Sequence, residues 1–234
     1  LSNMPNMDPK KCPMPSQDPN VRNKNFKEVA LGYTAEMAVN EAKRCLQCKK
    51  PACRTGCPVQ IDIPAFIAEV AKGDFEAAYQ VIAKSSALPA VCGRVCPQEN
   101  QCEGKCIRGK KSEPVAIGQL ERFLGDRPEL ASTPKMAPKN GKKVAVVGSG
   151  PSGMETARVA AMRGHKVTII EHNKRIGGLM NMAQVLNPLI EPVRDWYENE
   201  LNLLNNVTVK LSTEGTVDNI KACLLYTSPS PRDS

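Results

Sequence analysis

The chain has 234 residues, 41% hydrophobic and only 4% aromatic, with a formal net charge of +8 at pH 7. That length allows one to two domains with the composition of a soluble protein. No run reaches the roughly 18 apolar residues of a membrane span. The start LSNMPNMDPKKCPMP has no apolar stretch behind a basic segment, so no leader is read there and a cytoplasmic location is expected.

Residues 1–25 of an N-terminal arm set at 1–33 are rich in Pro, Asn, Asp and Lys and read as extended, with Cys12 alone in them as a plain exposed thiol. TAEMAVNEAKR (34–44) has the helical period: Ala35, Ala38 and Ala42 share a face, Thr34 caps, and the helix delivers Cys45. DIPAFIAEVAKG (62–73) is a second helix, with Asp62 and Pro64 at its start and Gly73 at its end. DFEAAYQVIAKSS (74–86), capped by Asp74, and EPVAIGQLERFLGD (113–126) are the third and fourth. Residues 34–126 are therefore expected to form a small all-helical domain with a thin apolar core, and 127–141, with Pro128, Pro134 and Pro138, a linker. The pattern then changes. Val144–Val147 reads as a strand, 152–163 as a helix, Val167–Ile170 as a second strand, 190–204 as a helix and 207–211 as a third strand.

Cysteine carries the first chemical signal. CLQCKKPACRTGCP (45–58) and CGRVCPQENQCEGKC (92–106) hold eight of the ten cysteines. Disulfides suit oxidising compartments and small chains short of core. Zinc takes four soft ligands, often as Cys-x2-Cys pairs, and Cys45 with Cys48 is the one such pair here. The run C-x2-C-x4-C-x3-C-P, ending Cys57–Pro58, and the x3-Cys-Pro ending at Cys92, Cys96 and Pro97 approach the ferredoxin spacing instead. Two interleaved sets favour two [4Fe–4S] clusters over the zinc and disulfide alternatives. Metal binding would then supply part of the folding energy of a domain with little core.

The second signal is Gly148, Gly150 and Gly153 in GSGPSG, set between a strand and a helix, with Glu171 ending the next strand. Gly148 makes the tight turn, Gly150 lets a pyrophosphate approach backbone, and Gly153 lets helix meet strand. The helix N-terminus favours the pyrophosphate charge. Glu171 suits a ribose hydroxyl and repels a 2′-phosphate, so FAD or NAD is expected before NADP. Pro151 and the Gly177–Gly178 pair favour FAD. No Ser-His-Asp set, acid–base carboxylate pair or H-E-x-x-H motif is present, and no catalytic residue is assigned. His165 and His172 flank the second strand and read as structural. Lys105, Arg108, Lys110 and Lys111 form a basic patch, read first as a solvated face that could also attract an acidic carrier protein. It lacks interleaved stacking aromatics, which argues against nucleic acid.

NFKEVALGYTAEMAVNEAKRCLQCKKPAC, GCPVQIDIPAFI, LPAVCGRVCPQENQCEGKC and EPVAIGQLERF closely resemble the N-terminal iron–sulfur domain of the glutamate synthase small-subunit family. That domain type is shared with the large subunit of NADH-dependent ferredoxin:NADP oxidoreductase and with dihydropyrimidine dehydrogenase. The resemblance implies a multidomain α plus α/β fold: a small all-helical di-cluster iron–sulfur domain, then a truncated Rossmann-like FAD-binding domain at 142–222. It implies that Cys45, Cys48, Cys53 and Cys106 hold one [4Fe–4S] cluster. Cys57, Cys96 and Cys102 would hold the other with Glu121, whose plainer reading is a surface helix residue. Cys92 would be a neighbour and not a ligand, although spacing alone makes it one. Residues 142–205, with GGLMNMAQVLNPLIEPVRDWYENEL after the acid, also resemble the FAD-binding segment of the 2,4-dienoyl-CoA reductase and NADH:flavin oxidoreductase family. A variant enzyme, or two genes joined near the linker, would account for both resemblances.

The tail CLLYTSPSPRDS (223–234) resembles the translated read-through of a sequencing-library adapter; the plainer reading is a Ser/Pro-rich disordered tail. With a first residue of Leu, the chain reads as a fragment that lacks an NAD(P)H-binding domain. The expected function is NAD(P)H-dependent electron transfer through FAD and iron–sulfur clusters, as in glutamate synthase small subunits. Its partner would be a large-subunit-like protein or a ferredoxin-type carrier. The alternatives are an electron-bifurcating ferredoxin:NADP oxidoreductase subunit, an enoate-type reductase fragment, and a non-catalytic docking module.

Overall fold

Thr34 opens the first long helix, α2 (Ala35–Ala42), by accepting the Met37 N–H on its hydroxyl at 3.2 Å. The same device recurs along the chain. Asp18 precedes α1 (Pro19–Arg22), Asp62 accepts the Ala65 N–H ahead of α4 (Ile63–Lys72), and Asp74 accepts that of Ala77 ahead of α5 (Phe75–Ala83). Such caps satisfy donors that a helix start leaves without partners, each typically worth about 1 kcal/mol. Gly73 ends α4 at φ +84, a left-handed position that glycine takes without strain. The computed structural model describes residues 6–130 and 135–223. The chain divides into two compact units, 1–132 and 133–234.

The first unit adds α3 (Ala52–Gly56), α6 (Pro89–Val95) and α7 (Ile117–Gly125). Its core is broader than four short helices implied. Phe66, Ile67 and Val70 from α4, Ala78 and Ile82 from α5, and Leu120 and Leu124 from α7 are fully buried. Loop residues Ile61, Val115 and Ala116 and the thiol-bearing Cys102 join them. Truncating one of these large side chains to Ala would cost about 2–5 kcal/mol.

Helix α7 starts four residues later than the sequence pattern implies. The reason is a buried charge pair, Glu41 and Arg44, bridged at 2.7 Å. Arg44 donates to the carbonyls of Glu113 and Pro114, and Glu41 accepts the Ala116 N–H at 2.8 Å. That backbone is therefore paired to α2 and its exit, not to its own helix.

The same pair corrects the reading of the N-terminal arm, which does not extend freely. Arg44 donates to the Asp8 and Pro9 carbonyls, Glu41 accepts the Cys12 N–H at 2.7 Å, and the Tyr33 hydroxyl donates to the Cys12 carbonyl at 2.6 Å. Cys12 is accordingly not a plain exposed thiol: it packs partly buried against the core.

The second unit is a three-stranded parallel sheet in the order β1 (Lys143–Val147), β2 (Lys166–Ile170), β3 (Val207–Lys210). Val144 pairs with Val167, which pairs with Val207. β2 is central, and Val167 and Ile169 are fully buried. Helix α8 (Pro151–Met162) lays Met154, Ala157 and Ala161, small or flexible side chains, against the sheet. Helices α9 (Met180–Leu186), α10 (Glu191–Leu203) and α11 (Val217–Lys221) complete the unit. Beyond Cys223, the tail read as adapter sequence lies outside the described residues, as do residues 131–134 of the linker.

Among the described residues, no helix is long and apolar enough to cross a membrane. His165 meets Asn140 at 3.0 Å and His172 meets Glu214 at 2.7 Å, both at exposed positions.

Candidate metal and dinucleotide sites

All ten cysteines are free thiols, so the disulfide alternative is not met. Eight of them fall into two groups. Cys45 and Cys48 lie in the loop after α2, Cys53 lies in α3, and Cys106 comes from the second cysteine run. These four line one cavity, an empty space of ≈ 330 Å³ that is partly open to solvent, together with Arg108, Leu46 and Ile107. Burial pushes the Cys53 thiol up to about 11, and the neighbouring Cys45 and Cys106 add to it. Burial also raises Cys45, with Cys106 and Cys48 adding and the Gln47 N–H and the Arg108 charge opposing. Thiols held up this way stay protonated unless a cation displaces the proton, since the thiolate is the ligand.

Cys57, Cys92, Cys96, Cys102 and Glu121 make the second group. What brings them together is the close approach of α6 to α7. A Cβ built on Gly93 would stand 2.6 Å from the Arg122 backbone nitrogen, and one on Gly125 would stand 2.2 Å from that of Ala90. Only glycine fits at such contacts. They set Glu121 against the thiols at the end of α6. Burial raises Cys92 to about 11 and Cys102 to about 12, and the Glu121 charge adds to both. It adds likewise to Cys96, where Cys57 also acts. Cys92 lies beside Cys96, and the Ser86 hydroxyl reaches its sulfur at 3.8 Å.

Glu121 is no surface residue. It is 7% exposed, and burial alone pushes its carboxyl up to about 7. Its Oε1 is buried and has no hydrogen-bond partner among the described residues. The helical period already carried this signal: Ile117, Leu120, Glu121 and Leu124 share the buried face of α7. Arg108 departs from the solvated basic patch in the same way, being 7% exposed, while Lys105, Lys110 and Lys111 are exposed.

Among the described residues, no three His, Cys, Asp or Glu side chains converge as a single metal ion would require. A cubane asks for a different arrangement, because each thiolate binds its own iron at a separate corner. The orphaned carboxylate oxygen and the thiol-lined cavity fit such a group.

In the second unit, Gly148 turns the chain after β1 at φ +90, and Gly150 is the N-cap of α8. A Cβ on Gly153 would come within 2.1 Å of the Gly148 carbonyl oxygen, so this residue lets α8 start tight against the turn. Around Gly150 a built Cβ meets nothing within 4 Å, which leaves room for a ligand at the helix N-terminus. Pro151 is the first residue of α8. Gly177 donates its N–H to the Ser149 carbonyl at 2.8 Å, and Gly178 lies over Gly150, where an added Cβ would sit 3.0 Å from the Gly150 Cα.

Glu171 is buried at the end of β2, 4% exposed, with both oxygens in use. Oε2 accepts the Ser149 N–H and hydroxyl; Oε1 accepts the Asn173 N–H at 2.7 Å and its amide at 2.8 Å. Burial pushes this carboxyl up, but those hydrogen bonds outweigh it and hold it below the ordinary range. The glycine motif by itself does not single out Ser149 or Asn173.

Comparison with known proteins now bears on both sites. Residues 22–132 match the family described as dihydropyrimidine dehydrogenase domain II, 4Fe-4S cluster, and residues 108–222 match pyridine nucleotide-disulphide oxidoreductase. At family level the chain resembles the two-domain iron–sulfur and Rossmann oxidoreductases. The glutamate synthase [NADPH] small chain of Escherichia coli is 34% identical over 180 residues, 76% of this chain and 37% of that protein. The NAD-dependent dihydropyrimidine dehydrogenase subunit PreT of the same organism is 36% identical over 153 residues, 64% of this chain and 37% of that protein. This chain thus spans little more than a third of the length of either relative. A solved 2-naphthoyl-CoA reductase complex aligns with 71% of this chain and 22% of its own at 28% identity, with a TM-score of only 0.37.

Proposed function

We propose that this chain is the electron-entry part of an NAD(P)H-dependent flavin and iron–sulfur oxidoreductase of the glutamate synthase small-subunit type. The observation that carries it is the partition of the cysteines into two separate groups, one lining a cavity and the other sharing its space with an orphaned carboxylate. Residues 34–126 serve as the iron–sulfur domain, 127–141 as a linker and 142–222 as part of the flavin domain. Cys45, Cys48, Cys53 and Cys106 hold one [4Fe–4S] cluster; Cys57, Cys96, Cys102 and Glu121 hold the other. Cys92 keeps its thiol beside that second set. When bound, FAD supplies the conversion of a hydride from NAD(P)H into single electrons, and the clusters supply their onward path.

The residues do the rest. Gly150 leaves backbone bare for the pyrophosphate, and the N–H groups that open α8 face the negative charge. Gly177 and Gly178 hold a second loop against that turn. Glu171 fixes the glycine turn through Ser149 and takes a ribose contact where Asn173 gives way. Val115, buried in the core, closes the inner wall of the first thiol set, while Leu46 and Ile107 line its exposed side. The partner that receives the electrons is a glutamate synthase large-subunit-like protein or a ferredoxin-type carrier, in a cytoplasmic setting where thiols stay reduced.

The deciding experiment is anaerobic reconstitution of the purified chain with iron and sulfide. About eight iron per chain, with a brown chromophore that oxygen bleaches, is the expected result. Stoichiometric zinc retained against iron would overturn the reading. For the flavin half, Gly150→Val in a chain that carries the complete flavin domain should abolish FAD retention, because the new side chain fills the bare backbone site. Full flavin occupancy in that variant would reject it.

A further inference from the structure

Arg44 and Arg108 are both buried arginines of the first unit, and they differ in one respect. Arg44 has Glu41 at 2.7 Å. Arg108 has no carboxylate within ion-pair distance among the described residues. Among the described residues its two terminal nitrogens donate only to neutral carbonyls: Nη1 to Asn6 and Arg44, each at 3.1 Å, and Nη2 to Asp8 at 2.6 Å. Its Nε is buried and has no partner at all among the described residues. A buried cation without a counter-ion is strongly disfavoured, and buried charges in folded proteins are paired or meet a bound group. Arg108 lines the same cavity as Cys45, Cys48, Cys53 and Cys106, and its charge reaches Cys45.

We propose that Arg108 is a positioning and charge-compensating residue for the anionic group held by Cys45, Cys48, Cys53 and Cys106, a role that rests on the cluster reading above. Four thiolates around a [4Fe–4S] core leave a net negative group, and that group is the missing counter-ion. The three carbonyl contacts fix the plane of the guanidinium and leave Nε–H, with one hydrogen of Nη2, to donate toward the thiol set. One-electron reduction adds a negative charge and moves no proton. A fixed cation and an N–H donor beside the sulfurs stabilise that reduced form, since charge and hydrogen bonding to sulfur are two of the levers that set a cluster's potential. Arg108 therefore raises the midpoint of this cluster relative to one with a neutral neighbour. The other thiol set, which contains Glu121 and lacks Arg108, is not affected.

The test uses the whole chain, reconstituted with iron and sulfide, titrated with dithionite and followed by EPR. Arg108→Gln is expected to shift one of the two midpoints to a more negative potential and leave the other in place. Arg108→Lys, which keeps the charge and loses the planar donor, is expected to lie between the parent and Arg108→Gln. Should Arg108→Gln fail to hold iron, Arg108→Lys carries the test alone. A merely structural strap for residues 6–8 would leave both midpoints at parental values in variants with full iron content, and that result overturns the proposal. So does an equal shift of both midpoints. Failure of the parent chain itself to take up iron is a different result and sinks the cluster reading instead.

Discussion

Ser149 donates both its backbone N–H and its hydroxyl to a single oxygen of Glu171, the acid that closes β2. The serine is fully buried between Gly148 and Gly150, so the acid is a brace for the glycine turn before it is a ligand for anything. Glu171→Ala removes the acceptor of two buried donors. It should destabilise the second unit by about 1–3 kcal/mol, read as a lowered midpoint in urea unfolding. Ser149→Ala should cost less, about 0.5–1.5 kcal/mol, because the backbone N–H keeps its partner. Equal stability of Glu171→Ala and the parent would show that the turn does not depend on this brace.

Glu121 offers a second measurement. In the reconstituted chain, Glu121→Ala should alter the EPR signal or the midpoint of one cluster only, the one assigned to Cys57, Cys96 and Cys102. A pair of unchanged signals would reject the carboxylate as a ligand. Cys92→Ser is the companion variant: it should keep full iron content, and loss of one cluster's iron would make Cys92 the ligand.

Without metal, the same carboxylate makes the fold sensitive to pH. Burial raises Glu121 from 4.5 to about 7, so the folded chain binds its proton more tightly than the unfolded chain does. Its favourable contribution is fully present below pH 4.5 and is lost as pH rises through about 7. A difference of this size is worth about 3 kcal/mol. The urea midpoint of the metal-free chain should fall across that window, and Glu121→Gln, which cannot ionise, should lack this component. Identical pH profiles for the two chains would count against the buried carboxyl.

Glu41 and Arg44 hold three segments at once: the arm at Asp8, Pro9 and Cys12, the exit of α2, and the approach to α7. Removing one partner leaves the other charged and buried, a loss of about 3–5 kcal/mol. Glu41→Ala should therefore expose residues 6–16 to rapid hydrogen exchange as well as lower global stability. Unchanged exchange in the arm would show that Arg44 and its neighbours hold it without the acid.

Much of this chain was legible from sequence because it is written in local interactions. Thr34, Asp62 and Asp74 cap helices whose donors lie three residues on, and Gly73 ends one by its own backbone freedom. The strand, turn, helix and strand from Lys143 to Ile170 follow in the same way, from short-range pattern and glycine sterics. Cysteine spacing pointed to two metal groups, yet on its own it made Cys92 a ligand and was silent on Glu121. Long-range packing decided the company each residue keeps. Gly93 and Gly125 let α6 and α7 approach until Glu121 meets the thiols, and no spacing rule states how closely two helices pass. Burial decided the rest: Arg108 in a run of lysines reads as a solvated charge, and nothing in the pattern marks Glu41 on its alanine-rich helix as buried. The folded chain removes both from water, and only there does it matter that Glu41 has Arg44 beside it while Arg108 has no carboxylate partner among the described residues. Charge is local in sequence, but its cost is set by the dielectric around it, and that is a property of the tertiary structure.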